Sequence, residues 1–315
     1  MQARELGRSG IAVPPVVFGC NVFGWTADRA MSFRLLDAMV EAGLHAIDTA
    51  DVYSTWAPGH SGGESETIIG EWFAARGRRR DVTLLTKCGM EMPDGKGLSP
   101  AWIATAVEAS LRRLRTDVID LYQAHRDDEA TPLEDTLGAF ARLVEQGKVR
   151  AIGASNYTAP RLKAALEASA AHNLPRFETL QPLHNLLERG IEADLLPLCL
   201  EQGVAVIPYS SLASGFLTGK YRSAADLGKS VRGARSVTKY MDASGMRVLA
   251  ALDAVAARLS ATPAQVALAW QIARPGITAP IASATGLEQL AELVRAASLA
   301  LDAEAIAALD AASAG

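Results

Sequence analysis

The order of apolar runs along the chain constrains its fold more than any other feature of the sequence. Short runs rich in β-branched residues alternate with longer segments that have the period of an amphipathic helix. This alternation predicts a parallel sheet covered by helices. Eight strands are predicted, at residues 16–19, 45–48, 82–86, 119–124, 151–153, 179–181, 204–207 and 277–281.

Helical segments fit between these strands and predict a (β/α)8 barrel, also called a TIM barrel. A turn from Gly7 to Gly10 lies between two short extended stretches and predicts an N-terminal β-hairpin that closes the barrel bottom. Residues 302–312 predict an extra C-terminal helix. No Pro/Gly/Ser-rich linker divides the chain, so residues 1–315 are expected to form one barrel domain. The other helices are predicted at 29–42, 64–75, 99–114, 132–146, 158–171, 192–202, 246–258 and 288–297.

The segment 211–244 is too long for an ordinary connection, and it is rich in Gly, Ser and Arg. Long loops in compact domains commonly carry function. We therefore expect this segment to lie over the top of the barrel as a functional loop.

Composition limits the classes of partner. Hydrophobic residues make up 49% of the 315 residues and charged residues 21%, which is typical of a globular protein. A net charge of -4 argues against nucleic-acid binding, which needs a clustered excess of Lys and Arg. The Arg78-Arg79-Arg80 run is interpreted as a solvated loop between a helix and a strand.

The cysteines Cys20, Cys88 and Cys199 are odd in number and have no metal-ligand spacing. They predict reduced thiols rather than disulfides or a metal site. The N-terminus has no signal segment, and no apolar run reaches the ~18 residues that a membrane span needs. A cytoplasmic protein without a membrane partner is the expectation.

Polar residues follow several predicted strands, at the end of a barrel where active sites lie. Asp48 and Tyr53 follow the second strand, Lys87 the third and His125 the fourth. Each also has a purely structural interpretation. Asp48 could be a helix cap and Tyr53 an ordinary loop aromatic. Lys87 could be a surface amine and His125 a core imidazole. Four such groups at the same end of three successive strands favour a proton-transfer site.

The chemistry of a tyrosine explains this combination. A free phenol has a pKa of about 10, and bringing it to neutral pH takes about 4 kcal/mol. An exposed ion pair contributes only about 0–1 kcal/mol, so the cation should be buried beside Tyr53. A buried Lys87 would need the Asp48 carboxylate to stay charged. His125 would orient the substrate oxygen or join the proton relay.

Several motifs resemble those of the aldo-keto reductase family. Ile47-Asp48-Thr49-Ala50-Asp51-Val52-Tyr53 is similar to its I-D-T-A-x-x-Y signature, and Thr86-Lys87 to its T-K motif. Residues 120–125 resemble D-L-x-x-x-H, and 147–157 resemble G-K-(I/V)-R-x-(I/L)-G-x-S-N-(F/Y). Residues 209–221 resemble Y-S-x-L-x-x-G-x-L-T-G-K-Y, so the similarity runs through most of the chain.

The resemblance implies an NADP(H)-dependent oxidoreductase that reduces small aldehydes and ketones to alcohols without a metal. Tyr53 would donate the proton, Lys87 and Asp48 would tune it, and His125 would orient the carbonyl. The implied nicotinamide site consists of Ser155, Asn156, Gln181 and Tyr209, and the implied pyrophosphate site of Ser210, Leu212, Gly215 and Lys220.

Two positions depart from the family pattern. His184 replaces a common Tyr and is expected near the nicotinamide. Thr285 stands where an Arg often holds the adenosine 2′-phosphate, which leaves Ser283, Thr285 and Gln289 as neutral donors. We therefore expect NADP(H) to be used and NAD(H) to be possible, unless Arg232 or Arg235 of the long loop supplies a cation.

The substrate pocket and two alternative functions stay open at this stage. Trp25, Trp56 and Cys88 lie on predicted top-face loops, where each could line the pocket or be structural. A Schiff-base aldolase with Lys87 as nucleophile would use the same fold. A binding or sensor protein, like the potassium-channel β subunits that share this barrel, is the alternative from another class.

Overall fold

A computed structural model describes residues 1–231 and 233–314 and contains a parallel barrel of eight strands. Neighbouring strands pair in chain order, and the last strand pairs with the first. A bridge from Val206 to Ile277 and a 2.7 Å bond from Thr278 N to Val206 O close the other edge. The predicted (β/α)8 barrel is therefore confirmed. Its strands are β3 (Val17–Gly19), β4 (Ala46–Asp48), β5 (Thr83–Cys88), β6 (Ile119–Ala124), β7 (Val149–Ser155), β8 (Phe177–Gln181), β9 (Ala205–Val206) and β10 (Ile281–Ala282), after the antiparallel pair β1 (Arg4–Glu5) and β2 (Ala12–Val13).

Helices cover the outside of the barrel, and several begin with the caps that the sequence contains. The Ser99 hydroxyl accepts a hydrogen bond from Trp102 N, and Asp302 accepts one from Ala305 N at the predicted extra helix. The helices are α1 (Arg29–Glu41), α2 (Glu64–Arg76), α3 (Pro100–Leu114), α4 (Leu133–Glu145), α5 (Ala159–Ala171), α6 (Leu195–Gln202), α7 (Ala243–Leu259), α8 (Pro263–Ala273), α9 (Leu287–Ala296) and α10 (Ala303–Ser313).

The sequence prediction omits α8. Every residue of this helix from Ala264 to Gln271 is buried, so it lacks the polar stripe that reveals a surface helix. Thr262, the residue before the helix, is its N-cap. The Thr262 hydroxyl accepts a hydrogen bond from Gln265 N, and the Gln265 side chain accepts one from Thr262 N. This capping box is the signal in the sequence that could have revealed α8.

The N-terminal hairpin closes the bottom of the barrel, as predicted. Leu6, Ile11 and Val13 from the hairpin are buried in one apolar cluster with residues that lie in the barrel strands or directly beside them: Val17, Ala46, Leu85, Leu121, Ala151, Ala205, Ile207, Ala279 and Ile281. The packed bottom leaves the carboxyl ends of the strands as the open end, where the predicted site residues lie.

Three predicted boundaries are wrong in ways that affect the site. Strand β5 extends two residues beyond the predicted end at 86, and β7 is four residues longer than predicted, because both strands are paired on both sides. The last strand lies at 281–282 instead of 277–281, with only the bridge at Ile277 preceding it. The Arg78-Arg79-Arg80 run connects a helix and a strand as predicted, and Arg80 is exposed, but Arg79 is held in place: it bonds Asp120 at 2.9 Å and three backbone or hydroxyl oxygens nearby.

The segment 211–244 is folded into short helical turns rather than an open loop. Three are 3-10 turns, at Ala213–Thr218, Ala224–Lys229 and Thr238–Tyr240, and Gly233–Val237 is a π-helical turn. Phe216, Leu217 and Tyr240 bury their side chains in a second apolar cluster with α7, α8 and α10. The segment is thus anchored by its own apolar residues. Within residues 1–231 and 233–314, we find no helix long and apolar enough to cross a membrane.

Candidate active site

Lys87 occupies the centre of the polar cluster at the open end of the barrel. It is the fifth residue of β5 and is completely buried. Its Nζ donates hydrogen bonds to Asp48 Oδ2 at 2.7 Å, to Thr49 O at 2.7 Å and to Tyr53 OH at 3.1 Å. A buried ammonium group has three donors, and here each has an acceptor. The structure therefore brings Lys87, Asp48 and Tyr53 together as the sequence predicts.

Asp48, at the end of β4, holds the ammonium group from one side and two amides from the other. Its Oδ1 accepts from Gln181 Nε2 at 2.9 Å and from Gln123 Nε2 at 3.4 Å. Gln181 thus bonds Asp48, although the resemblance assigns it to the nicotinamide. Gln123 does not figure in the sequence prediction, but its position in the H-bonded strand next to Lys87 is a signal that could have found it.

Electrostatics set the protonation of the lysine and the tyrosine. Burial lowers the pKa of Lys87, but Asp48 and Tyr53 together raise it above the usual value, so the amine stays charged. Burial also raises the pKa of Tyr53, and the opposing effect of Lys87 does not cancel this. The expectation that the phenol is tuned towards neutral pH is therefore wrong for this structure, because desolvation outweighs the cation. Tyr53 is held protonated, as a proton donor must be.

His125 follows β6 and lies edge-on to Tyr53, with 5.8 Å between the ring centroids. Its backbone N donates to Cys88 O at 2.8 Å, which fixes the loop. Burial, then Lys87 and Arg126, lower the pKa of His125 well below its usual value, so the imidazole is neutral. Its Nδ1 is buried and has no hydrogen-bond partner among the residues that the structure describes. The ring as a whole is partly exposed, so a neutral imidazole beside the phenol is available to bond a substrate oxygen.

An aromatic wall stands next to Tyr53. The Trp56 ring lies 5.4 Å from the Tyr53 ring, and Trp25 packs edge-on against Trp56 at 5.8 Å. Both tryptophans are partly exposed and so can line a pocket. Cys88 does not lie on a loop as predicted: it is the last residue of β5 and is completely buried. Its side chain belongs to the core because the strand continues past residue 86.

Ser155, Asn156 and Tyr209 form a continuous polar patch beside the lysine cluster. Ser155 Oγ donates to Gln181 O at 2.8 Å and accepts from Asn156 Nδ2 at 3.1 Å. Tyr209 OH donates to Asn156 Oδ1 at 2.9 Å, and Asn156 has a left-handed φ of 58°. The patch offers amide and hydroxyl groups next to a partly exposed aromatic ring, which fits a carboxamide-bearing ring such as nicotinamide.

The chain after Tyr209 makes a tight turn that contains several left-handed residues. Ser210, Ala213, Ser214 and Gly215 all have positive φ, between 48° and 94°. The N–H groups of Ala213 and Gly215 donate to Ser210 O and Leu212 O within the turn, at 2.8 Å each, and so fix its shape. A Cβ built on Gly215 would lie 3.3 Å from Lys220 Nζ, so the lysine lies against this turn. These residues and Leu212, at the start of the turn, fit the pyrophosphate of a dinucleotide.

The predicted 2′-phosphate residues lie at the start of α9. Gln289 Oε1 accepts from Thr285 N at 2.8 Å and from Thr285 Oγ1 at 3.1 Å, so these two residues are in contact. Ser283 Oγ donates to Asn21 Oδ1 at 2.6 Å. Arg235 is exposed in the π-helical turn, whereas Arg232 lies outside the described residues.

The backbone of His184 lies beside the proposed nicotinamide patch, with His184 N donating to Tyr209 O at 3.5 Å, but its side chain points elsewhere. It is buried and stacks on Trp270, with centroids 5.5 Å apart and planes 13° apart, and its Nε2 is 2.9 Å from Glu192 Oε1. Arg274 joins Glu192 to Asp310 of α10. The His184 side chain therefore belongs to a network that ties the loop after β8 to α8 and α10.

Two more residues around the site are absent from the sequence prediction. Asn185 Nδ2 donates to Ser210 O at 3.0 Å and so supports the turn after Tyr209. Asp51 directly follows Ala50 of the D-T-A motif and is buried. Neither of its carboxyl oxygens has a hydrogen-bond partner among the described residues. Its position inside the motif is the signal for Asp51, whereas no sequence signal marks Asn185 as the partner of Ser210.

At the open end of a (β/α)8 barrel, the structure thus brings together a charged Lys–Asp pair, a protonated phenol and a neutral imidazole. The Aldo/keto reductase family model matches residues 15–314. The chain therefore belongs to the aldo-keto reductase family and is an NAD(P)H-dependent oxidoreductase of carbonyl compounds and alcohols.

Named relatives agree with this family. The chain is 36% identical to an uncharacterized oxidoreductase, YrpG, of Bacillus subtilis (strain 168), over 96% of this chain and 93% of that protein. It is 32% identical to a probable voltage-gated potassium channel subunit beta of Arabidopsis thaliana, over 94% and 91% of the two chains. It is 30% identical to versiconal hemiacetal acetate reductase of Aspergillus parasiticus, over 97% and 95%.

Proposed function

We propose that this protein reduces small aldehydes and ketones with NADP(H), and that Tyr53 donates the proton. The observation that carries the proposal is the bond of the buried Lys87 ammonium to both Asp48 and the Tyr53 hydroxyl, at 2.7 and 3.1 Å. When bound, a reduced nicotinamide would supply the hydride that the carbonyl carbon needs. Tyr53 then delivers its proton to the carbonyl oxygen, and the product is the alcohol.

Each residue of the cluster has a distinct part. Lys87 stabilises the phenolate that Tyr53 becomes when it gives up its proton, and Asp48 keeps Lys87 charged. His125 binds the carbonyl oxygen through its neutral ring and so holds it near the phenol. Trp56 beside Tyr53 excludes water from this side of the site.

The cofactor contacts are proposed from the same geometry. Ser155 and Asn156 would bind the carboxamide, Gln181 would complete that site from its position between Asp48 and Ser155, and Tyr209 would stack on the ring. Ser210, Leu212, Gly215 and Lys220 would hold the pyrophosphate, and Ser283, Thr285 and Gln289 the adenosine end. NADP(H) is the proposed cofactor. Because these last three residues are neutral and offer no cation to the 2′-phosphate, NAD(H) should be an effective alternative.

Two alternatives are less well supported. A Schiff-base aldolase needs a free amine, but the partners of Lys87 raise its pKa and keep it protonated. A purely regulatory role, of the kind that the name of the Arabidopsis relative suggests for that protein, leaves the complete proton-donor cluster without a purpose.

Replacing Tyr53 by Phe tests the proposed function. We expect kcat for reduction of small aldehydes to fall by at least about 10²-fold, because the variant loses its general acid. Fluorescence titration should show nearly normal NADPH binding. Tyr157→Phe is the matched control: it also removes a buried phenolic oxygen, one without a partner among the described residues, and should keep wild-type turnover. A Tyr53→Phe variant with more than about a tenth of the wild-type kcat would contradict the assignment.

A further inference from the structure

The segment 182–185, directly after β8, lies along the turn that carries Tyr209 and Ser210. Tyr209 N donates a hydrogen bond to Pro182 O at 2.9 Å, and Asn185 Nδ2 donates one to Ser210 O at 3.0 Å. Tyr209 and Ser210 are the proposed contacts to the nicotinamide ring and the pyrophosphate. The position of the segment 182–185 therefore determines the position of both cofactor contacts.

The side chain of His184 fastens this segment to the helices outside the barrel. Its ring is completely buried and stacks on Trp270 of α8, with the centroids 5.5 Å apart and the planes 13° apart. Its Nε2 lies 2.9 Å from Glu192 Oε1. Burial raises the pKa of Glu192, but hydrogen bonds from Arg189 and His184 and the charge of Arg274 lower it to about 2. Glu192 is thus an anion that only accepts, and the His184 ring, whose pKa burial lowers, donates to it from Nε2.

The partners of His184 are themselves held by α8 and α10. Arg274, the C-cap of α8, donates from Nη2 to Glu192 Oε2 at 2.7 Å and from Nη1 to Asp310 Oδ1 at 2.8 Å. Trp270 Nε1 donates to the same Asp310 oxygen at 2.9 Å. The guanidinium group of Arg274 lies over the Trp270 ring, 4.8 Å from its centroid. Two helices of the outer shell therefore fix both the stacking surface and the acceptor that the His184 ring uses.

The turn needs such an anchor because its backbone is strained. Ser210, Ala213 and Ser214 are not glycines, yet they have left-handed φ values of 57°, 48° and 58°. Each such residue costs conformational free energy, which the surrounding contacts have to offset. One contact comes from Gln271 of α8, whose Nε2 donates to Ser211 O at 2.9 Å. The conformation of the turn thus depends on contacts from α8 and from the loop after β8.

We propose that His184 is a positioning residue for the cofactor: its ring holds the segment 182–185, and through it Tyr209 and Ser210, in the conformation that binds the dinucleotide. The inference rests on the proposed function, because it takes Tyr209 and Ser210 as cofactor contacts. When only a fraction of the molecules has the binding conformation, the apparent Kd rises by the inverse of that fraction. Bound cofactor stabilises the same conformation, so kcat at saturation stays unchanged.

Three variants at His184 test the inference. His184→Phe keeps a ring on Trp270 and loses the bond to Glu192, His184→Gln keeps an N–H donor and loses the ring, and His184→Ala loses both. We expect the NADPH Kd, measured by fluorescence titration, to rise at least about tenfold in His184→Ala and by less in the two partial variants. The partial variants carry the test if His184→Ala does not fold. Turnover of a small aldehyde at saturating NADPH should stay within about twofold of wild type.

Trp72→Phe is the matched control. Trp72 is completely buried in α2, and its Nε1 donates to Asp37 Oδ1 at 2.8 Å. The substitution therefore removes a buried ring N–H bond to a carboxylate, as His184→Phe does, from a helix that carries none of the proposed cofactor contacts. Urea unfolding measures the loss of stability in both variants. Only the His184 variants should change the NADPH Kd.

The outcomes separate the two proposals. Wild-type NADPH affinity in His184→Phe and His184→Ala would overturn the inference and leave the proposed function standing. A rise in Kd of the same size in Trp72→Phe would also overturn it, because the effect would then follow general loss of stability. A fall in kcat with an unchanged Kd would overturn it as well, since His184 would then act on the chemical step. If wild type neither binds NADPH nor reduces small aldehydes, the proposed function fails, and the inference fails with it.

Discussion

Replacing Asp51 by Asn tests whether the fold holds this carboxyl group in its neutral form. Asp51 is 1% exposed, and neither carboxyl oxygen has a hydrogen-bond partner among the described residues. Burial, and then the Glu66 carboxylate, raise its pKa to about 8, although Arg113 opposes the shift. Asn has nearly the shape of a protonated Asp and cannot ionise. The variant therefore removes the titration and keeps the packing.

The pKa difference sets the size of the expected effect. In the unfolded chain Asp51 loses its proton at about pH 4, whereas the folded chain keeps it up to about pH 8. The stability that this proton provides is complete below the lower value and is lost as pH rises through the higher one. Each pH unit between them costs about 1.4 kcal/mol, so Asp51 alone removes about 3 kcal/mol between about pH 5.5 and about pH 8.

Urea unfolding followed by tryptophan fluorescence measures the free energy of unfolding of both proteins at the two pH values. Raising the pH from the lower to the higher value should reduce the free energy of unfolding of wild type by about 3 kcal/mol more than that of Asp51→Asn. His125 and His184, whose pKa values burial lowers, add their own pH dependence, but they are common to both proteins. Asp94→Asn, at an exposed carboxyl, should follow wild type. Identical pH dependence in wild type and Asp51→Asn would refute the reasoning.

Three further changes test the proposed roles in the site. Lys87→Met removes the cation beside Asp48 and Tyr53, so kcat should fall by at least about 10²-fold. Full recovery of kcat at higher pH, measured in a pH–rate profile, would contradict the proposal that Lys87 stabilises the Tyr53 phenolate. Tyr209→Ala should weaken NADPH binding by about 0.5–1.5 kcal/mol in a fluorescence titration, and an unchanged Kd would remove Tyr209 from the site. Thr285→Arg should raise the NADPH-to-NADH ratio of kcat/KM about five- to tenfold. A wild-type preference for NADPH already above about a thousandfold would mean that a cation completes the phosphate site.

The sequence was sufficient to predict the barrel and the lysine cluster because both depend on local pattern. A parallel barrel puts the ends of its strands at one edge, so residues that follow successive strands must converge there. Asp48 pairs with Leu85 of the adjacent strand, and Lys87 lies two residues further on, on the same face of the sheet, so the strand pattern brings Lys87 and Asp48 close. The sequence did not predict α8 because this helix is buried on all sides. Its sequence therefore lacks the alternation of polar and apolar faces that marks a surface helix.

The direction of a side chain and the balance of desolvation against charge were not predictable in the same way. The sequence places His184 three residues after Gln181, close to the strand end. Its ring nevertheless turns to Trp270, which is 86 positions further along the chain, because stacking and the Glu192 bond are available there. For Tyr53 the sequence identifies the cation that lowers its pKa, but the depth of burial that raises it depends on the packing of the whole cluster.

Gln181 links the proton-transfer cluster to the proposed nicotinamide patch through one residue. Its side chain donates to Asp48 at 2.9 Å, while its backbone oxygen accepts from Ser155 Oγ at 2.8 Å. Asp48 in turn fixes the ammonium group that bonds Tyr53. A displacement of the end of β8 would therefore affect both the proposed carboxamide contacts at Ser155 and the position of Asp48, which supports Lys87 and Tyr53. Because Asp48 and Gln181 are the last residues of β4 and β8, the barrel itself sets the spacing between these two supports.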